Sequence, residues 1–220
     1  IPQGVSVISG ASKIGKSWLM LWLGLQVSQG LPVWGLKTKQ CGVLYLSLED
    51  THRRIKDRLY NLTDTAPNNL HFAVMCGLIG GGLEEQIINF LNEHTDTKLV
   101  IIDTLQKVRE VGGDNYSYAN DYQIITRLKA LADSYGICLL LVHHTRKQQA
   151  DDKFDMISGT NGLLGAADGA FLLTKEKRTG NAACLDVSGR DQPDQRLHLF
   201  RNEETLAWEL ELSLIHISEP

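Results

Sequence analysis

The chain has 220 residues, 43% of them hydrophobic, with 22 Lys and Arg against 26 Asp and Glu and a formal net charge of -4 at pH 7. That length and apolar content fill one hydrophobic core and argue for a single domain. The mildly acidic balance excludes a protein that holds nucleic acid through a global positive field, so any such contact has to be local, and the lack of any apolar run of about 20 residues excludes a membrane-spanning helix.

The start, Ile1, Pro2, Gln3, has neither an initiator Met nor a charged leader, and reads as a fragment cut just upstream of its first strand. Val5, Val7 and Ile8 form that strand. Ser17 to Val27 follows as a helix that is apolar most of the way round, through Trp18, Leu19, Leu21, Trp22, Leu23 and Leu25. A turn-rich stretch, Gly30 to Gly42, delivers the chain to a second strand, Val43 to Leu48. Thr51 to Leu62 has helical rhythm through Ile55, Leu59 and Leu62, with Arg53, Arg54, Lys56 and Arg58 on its wet side.

Leu70 to Met75 reads as a third strand, Leu83 to Leu91 as a helix and Leu99 to Ile102 as a fully apolar strand ending at Asp103. The polar stretch Arg109 to Asn120 precedes a helix carrying Tyr122, Ile124, Ile125, Leu128, Leu131 and Ala132. Ile137 to Val142 is the next strand. Uniformly apolar strands alternating with helices predict an α/β fold, with a mostly parallel sheet covered by helices on both faces. Beyond residue 168 the segments Ala170 to Thr174, Ala183 to Ser188, Arg196 to Phe200 and Thr205 to Leu210 leave no room for helices, so the sheet is expected to end as an antiparallel meander. The four cysteines, Cys41, Cys76, Cys138 and Cys184, are scattered and mostly adjoin apolar runs. They fit reduced core thiols and a cytoplasmic protein. Leu212 to Pro220 resembles the translation of a sequencing adaptor, which leaves 1–211 as the natural domain and 212–220 as a non-native tail.

The chemistry centres on Gly10, Ala11, Ser12, Lys13, Ile14, Gly15, Lys16 and Ser17, which fit GxxxxGK[S/T] between a strand and a helix that opens with Trp18. Backbone N–H groups and the positive end of a helix converge there on a polyphosphate. Lys16 would meet the β and γ phosphates and Ser17 would hold Mg²⁺. Three more positions lie at strand ends, the edge at which open α/β sheets bind ligands. Asp103 suits Mg²⁺, directly or through water or Ser17; Glu49, with Asp50 as its alternative, suits a base for the attacking water; His143 and His144 suit a γ-phosphate sensor. Arg190, past a late strand, suits an arginine finger aimed at a neighbouring subunit's nucleotide.

These segments, together with Leu46 to Asp50, Ile102 to Gln106, His143 to Lys147, and Ser158, Gly159 and Thr160 through Asp168, resemble the RecA-like ATPases. The nearest branch is the RepA-type hexameric replicative helicases of plasmids and phages, with DnaB-type helicases and KaiC-like ATPases more distant. The resemblance implies a RecA-like P-loop NTPase that binds ATP and Mg²⁺, with Glu49 as catalytic glutamate, Asp103 as Walker B aspartate and His144 as sensor. It implies a homo-oligomeric, hexameric ring on single-stranded DNA, with no membrane and with a primase or initiator protein as an open partner. Where the DnaB-type pattern has a Lys two residues before its finger, this chain has Ser188, so Arg178 is a second candidate for the finger. Lys107, Arg109, Arg146, Lys147 and Lys153 are available to DNA phosphates, and Tyr116 and Tyr118 to bases. The alternative function is a KaiC-like regulatory ATPase without helicase activity.

Overall fold

The computed structural model describes residues 2–109, 118–145, 154, 162–175, 180–190 and 192–211. Their elements run β1 (Gly4–Gly10), α1 (Lys16–Gln29), β2 (Gly42–Ser47), α2 (His52–Leu62), β3 (Leu70–Ala73), α3 (Leu83–Glu93), β4 (Thr97–Asp103), α4 (Leu105–Val108), α5 (Tyr118–Tyr135), β5 (Cys138–His144), α6 (Gly162–Ala166), β6 (Gly169–Thr174), β7 (Ala182–Gly189), β8 (Gln192–Arg201) and β9 (Trp208–Leu210). The strands form one sheet in the order β3-β2-β4-β5-β1-β6-β7-β8-β9. Pairing is parallel from β3 to β6 and antiparallel from β6 to β9. The expected α/β architecture and terminal meander are therefore present.

Strand alternation divides the core in two. Val5, Val7, Leu44, Leu46, Val100, Ile102, Leu139 and Leu141 pack on one face with α3, α4, α5 and α6. Val43, Tyr45, Leu99, Ile101, Leu140 and Val142 pack on the other with α1, α2 and the meander. Burial on both faces is why these strands read as unbroken apolar runs. The helix ends follow local chemistry. Gly15 and Gly30 take φ of 108° and 70° at the two ends of α1, and the Leu31 N–H reaches back to the Gln26 carbonyl at 2.8 Å. Thr51 caps α2 by accepting from the Arg54 N–H, and Glu84 and Glu85 face the positive end of α3.

Several boundaries differ from the sequence expectations. The third strand stops at Ala73, and Met75 lies 83% exposed beyond it. Residues 105–108 form a single helical turn through Leu105 and Val108, too short to leave a periodic signal. The short α6 is likewise missed, because its glycines depress helix propensity. The last strand is only Trp208–Leu210, with Thr205 in the preceding turn. Tyr118 opens α5 and so stands in a helix, where a polar loop was expected. The tail 212–220 lies outside the described residues.

Between the edge strand and α3, His71 and His94 stack with ring centroids 4.3 Å apart, beside Phe90. Burial first, and then His94, lower the His71 pKa, while Asp96 opposes them. A histidine whose folded pKa lies below its unfolded value stabilises the fold above about pH 6.5 and loses that contribution as pH falls toward the folded value. Melting temperature is therefore expected to fall between about pH 7 and pH 5, and His71→Phe to flatten that slope. An unchanged slope in His71→Phe would remove this pair as a source.

Candidate functional site

The register of the parallel strands lines up one edge of the sheet. Gly10 pairs with His144, and Asp103 lies between Ser47 and Val142. Residues just past these points, the loop 10–15, Glu49 and Thr104, therefore share that edge. Asp103 has the strand parity of Leu99 and Ile101, and His144 that of Leu140 and Val142, so both belong to the face that carries α1. The same parity separates His143 from His144.

Lys16 begins α1 and is 5% exposed. Its ammonium donates to the carbonyls of Gly10 at 2.7 Å and Ala11 at 2.9 Å, and lies 3.3 Å from His144 Nδ1. Burial lowers its pKa to about 8, against the pull of Asp103 and Glu49. His144 is also 3.5 Å from the Ser12 hydroxyl. Burial and then Lys16 hold the imidazole below its ordinary value, so it is neutral at pH 7. A neutral ring facing Ser12 and Lys16 is placed to sense what the loop holds.

Asp103 is 3% exposed and accepts from the Tyr45 phenol at 2.8 Å and from the Ser17 hydroxyl. Burial raises its pKa, and Glu49 and Asp50 raise it further. A buried carboxylate among other carboxylates, touching the Ser17 hydroxyl, is a donor set of hard oxygens that a divalent cation would relieve. Ser17 and Asp103 thus fit Mg²⁺. Burial and Asp103 hold the Tyr45 phenol well above its ordinary value, so it stays a neutral donor.

The two adjacent carboxylates of 49 and 50 have different surroundings. Asp50 accepts from Arg54 at 3.1 Å and Arg58 at 2.7 Å and is 7% exposed at its side chain. Glu49 is exposed, and its contact is a 3.3 Å hydrogen bond from the Thr104 hydroxyl. Asp50 is committed to α2, whereas Glu49 faces the shared edge. Trp18 lies between two guanidinium groups, Arg201 at 5.2 Å and Arg58 at 5.6 Å from its ring centroid, forming an aromatic and cationic wall beside the loop.

Arg190 lies elsewhere. Gly189 pairs with Gly169, which pairs with Ser6 at the start of β1, whereas the phosphate loop follows Gly10 at its end. Its guanidinium donates to the Gly165 carbonyl at 3.0 Å. The fold therefore keeps Arg190 apart from the Lys16 site of its own chain. Arg109, read as a cation for DNA, is corrected: it is 7% exposed and ion-paired to Asp121 at 2.9 Å, joining α4 to α5. Lys107 is exposed. Arg178, Arg146, Lys147, Lys153, Tyr116 and residues 158–160 lie outside the described residues. Tyr45, Thr104 and Trp18's guanidinium neighbours escaped sequence reasoning. Tyr45 alone had a visible signal, as the polar tip in an otherwise aliphatic strand.

A glycine loop closing the strand between β5 and β6, with carboxylates and a histidine at neighbouring strand ends, defines a P-loop domain of RecA-like topology. The chain belongs to the AAA domain family, whose model matches residues 1–150. Among solved structures, the ATPase domain of a phage protein matches with a TM-score of 0.76 at 16% identity, over 94% of this chain and 84% of that one. A DnaB-like replicative helicase, solved with its interactions with primase, matches with a TM-score of 0.75 at 17% identity, over 94% of this chain. The match covers 57% of that helicase's length. No curated protein matches the chain. Among the described residues no helix is long and apolar enough to cross a membrane.

Proposed function

We propose that this chain is the ATP-hydrolysing core of a ring-forming motor that moves along single-stranded DNA during replication of a plasmid, phage or other mobile element. The observation that carries the reading is the convergence of Lys16, Glu49, Asp103 and His144, from four separate strand ends, on one phosphate-binding loop. Likeness in fold to a replicative helicase and to a phage ATPase domain supports the motor class.

In this reading the backbone of Gly10 to Ser17 cradles the phosphates, and Lys16 leaves its two loop carbonyls to meet the β and γ oxygens. Trp18, flanked by Arg58 and Arg201, borders the nucleotide. Ser17 and Asp103 hold Mg²⁺, which when bound neutralises charge on the phosphate oxygens. Glu49, steadied by Thr104, takes the proton of the attacking water. His144 loses its contact with Lys16 as the lysine turns to phosphate, and so reports the γ phosphate to the segment after β5. Arg190, set at the opposite edge of its own sheet, completes the site of a neighbouring subunit in a hexameric ring, with Arg178 as the substitute. DNA meets the segments after Asp103 and after His144, through Lys107, Arg146, Lys147 and Lys153. A primase or initiator protein is the partner class the reading allows.

ATPase rate measured with and without single-stranded DNA tests the reading. Stimulation is expected; steady hydrolysis indifferent to DNA would favour the regulatory alternative. In the same assay, Arg190→Ala and Lys16→Ala are each expected to be inactive alone and to regain activity when mixed. Some interfaces of a mixed ring pair an intact Arg190 with an intact Lys16. No recovery in demonstrated mixed oligomers would count against Arg190 in trans.

A further inference from the structure

The phosphate loop rests on the far end of the chain. Trp208, on β9, is fully buried at 0% exposure, and its indole Nε1 donates to the Gly15 carbonyl at 3.4 Å. Gly15 stands at φ 108°, and a Cβ added there would meet Trp208 Cζ2 at 3.0 Å. The residue before Lys16 is thus held to glycine twice, by its left-handed backbone and by the indole face against it. β9 is anchored in turn, because Trp34 Nε1 donates to the Trp208 carbonyl at 2.8 Å. Trp34 packs against Trp22 of α1 with ring centroids 5.6 Å apart.

The consequence lies in the peptide plane. In a trans peptide the C=O of one residue and the N–H of the next point in opposite directions on a rigid unit. The Gly15 carbonyl is drawn back toward α1 by two donors, the Leu19 N–H at 3.0 Å and the Trp208 indole. The N–H of Lys16 is therefore aimed the other way, out of the helix start, where an anion sits. An ordinary helix N-terminus fixes that carbonyl with the helix bond alone. Here a side chain 193 residues distant adds a second donor and a flat surface.

We propose that Trp208, seated by Trp34, is a positioning residue for the phosphate loop, setting the Gly15–Lys16 peptide so that the Lys16 amide is preorganised for the β phosphate. The role rests on the MgATP reading above. It assigns the meander a function in nucleotide affinity and leaves the hydrolytic step to the other strand ends.

Trp208→Phe keeps most of the buried ring and removes the indole N–H. The expected result is a KM for MgATP, and a Kd for MgADP, both raised about two- to tenfold, the worth of one net hydrogen bond. kcat should stay within about twofold, since Glu49, Asp103 and His144 do not touch Trp208. A purely structural residue would instead lower the active fraction, reducing kcat at unchanged KM, and that outcome overturns the proposal. If Trp208→Phe melts below the assay temperature, Trp34→Phe replaces it. Freeing the Trp208 carbonyl should raise KM in the same direction at constant kcat, and an unchanged KM overturns the proposal equally. A parent protein that binds no MgATP would refute the nucleotide reading itself. A parent that binds, with variants that bind as well, would refute only the role of Trp208.

Discussion

Glu49→Gln is expected to bind MgATP as the parent does and to hydrolyse it about a hundredfold more slowly or worse, the usual cost of removing a general base. Binding should survive because Glu49 is exposed and its contact is the Thr104 hydroxyl at 3.3 Å, which the amide oxygen can still accept. Asp50→Asn is the informative control. Asp50 anchors Arg54 and Arg58, so losing its charge should loosen α2 and lower the melting temperature while leaving hydrolysis nearly intact. Single-turnover hydrolysis and thermal melts on both variants separate the roles. The reverse pattern would transfer the base to Asp50.

Lys16→Ala is expected to lose tight MgATP binding altogether. The contacts of its ammonium, the Gly10 and Ala11 carbonyls, are the loop itself. Their exchange for phosphate oxygens is what the site offers a ligand. The fold should not suffer, because burial already works against this charge, bringing its pKa to about 8, and alanine relieves that cost. The readout is thermal. A parent at about a hundred times its Kd should gain about 2.7 kcal/mol of stability from MgATP, and the variant none. A variant that melts as the parent does without nucleotide, and still shifts with MgATP, would end the assignment of the loop.

How far such roles could be read from the sequence depended on whether the chemistry was local. The phosphate loop was legible because its residues are consecutive and its flanks are a strand and a helix. Asp103, Glu49 and His144 were legible because each ends an apolar strand, and parallel strands present such ends at a single edge. The choice between Glu49 and Asp50 was not, since both follow the same strand and only the position of Arg54 and Arg58 on α2 occupies one of them. Arg109 misled for the complementary reason. It sits in a polar stretch, and the Asp121 that takes it into the interior lies further along the chain, across a helix start.

Sequence by itself determined the α/β class, the parallel run followed by a meander, and the loop from Gly10 to Ser17, because periodicity, burial on two faces and backbone chemistry all act within a few residues. Only the tertiary structure decided the strand order that puts β1 between β5 and β6, the edge that carries Arg190 away from Lys16, and the seat that Trp208 makes for Gly15. Those are contacts between residues far apart in the chain. Their energies come from packing and hydrogen bonds made after the chain has closed on itself, and no local pattern encodes which partner each will meet.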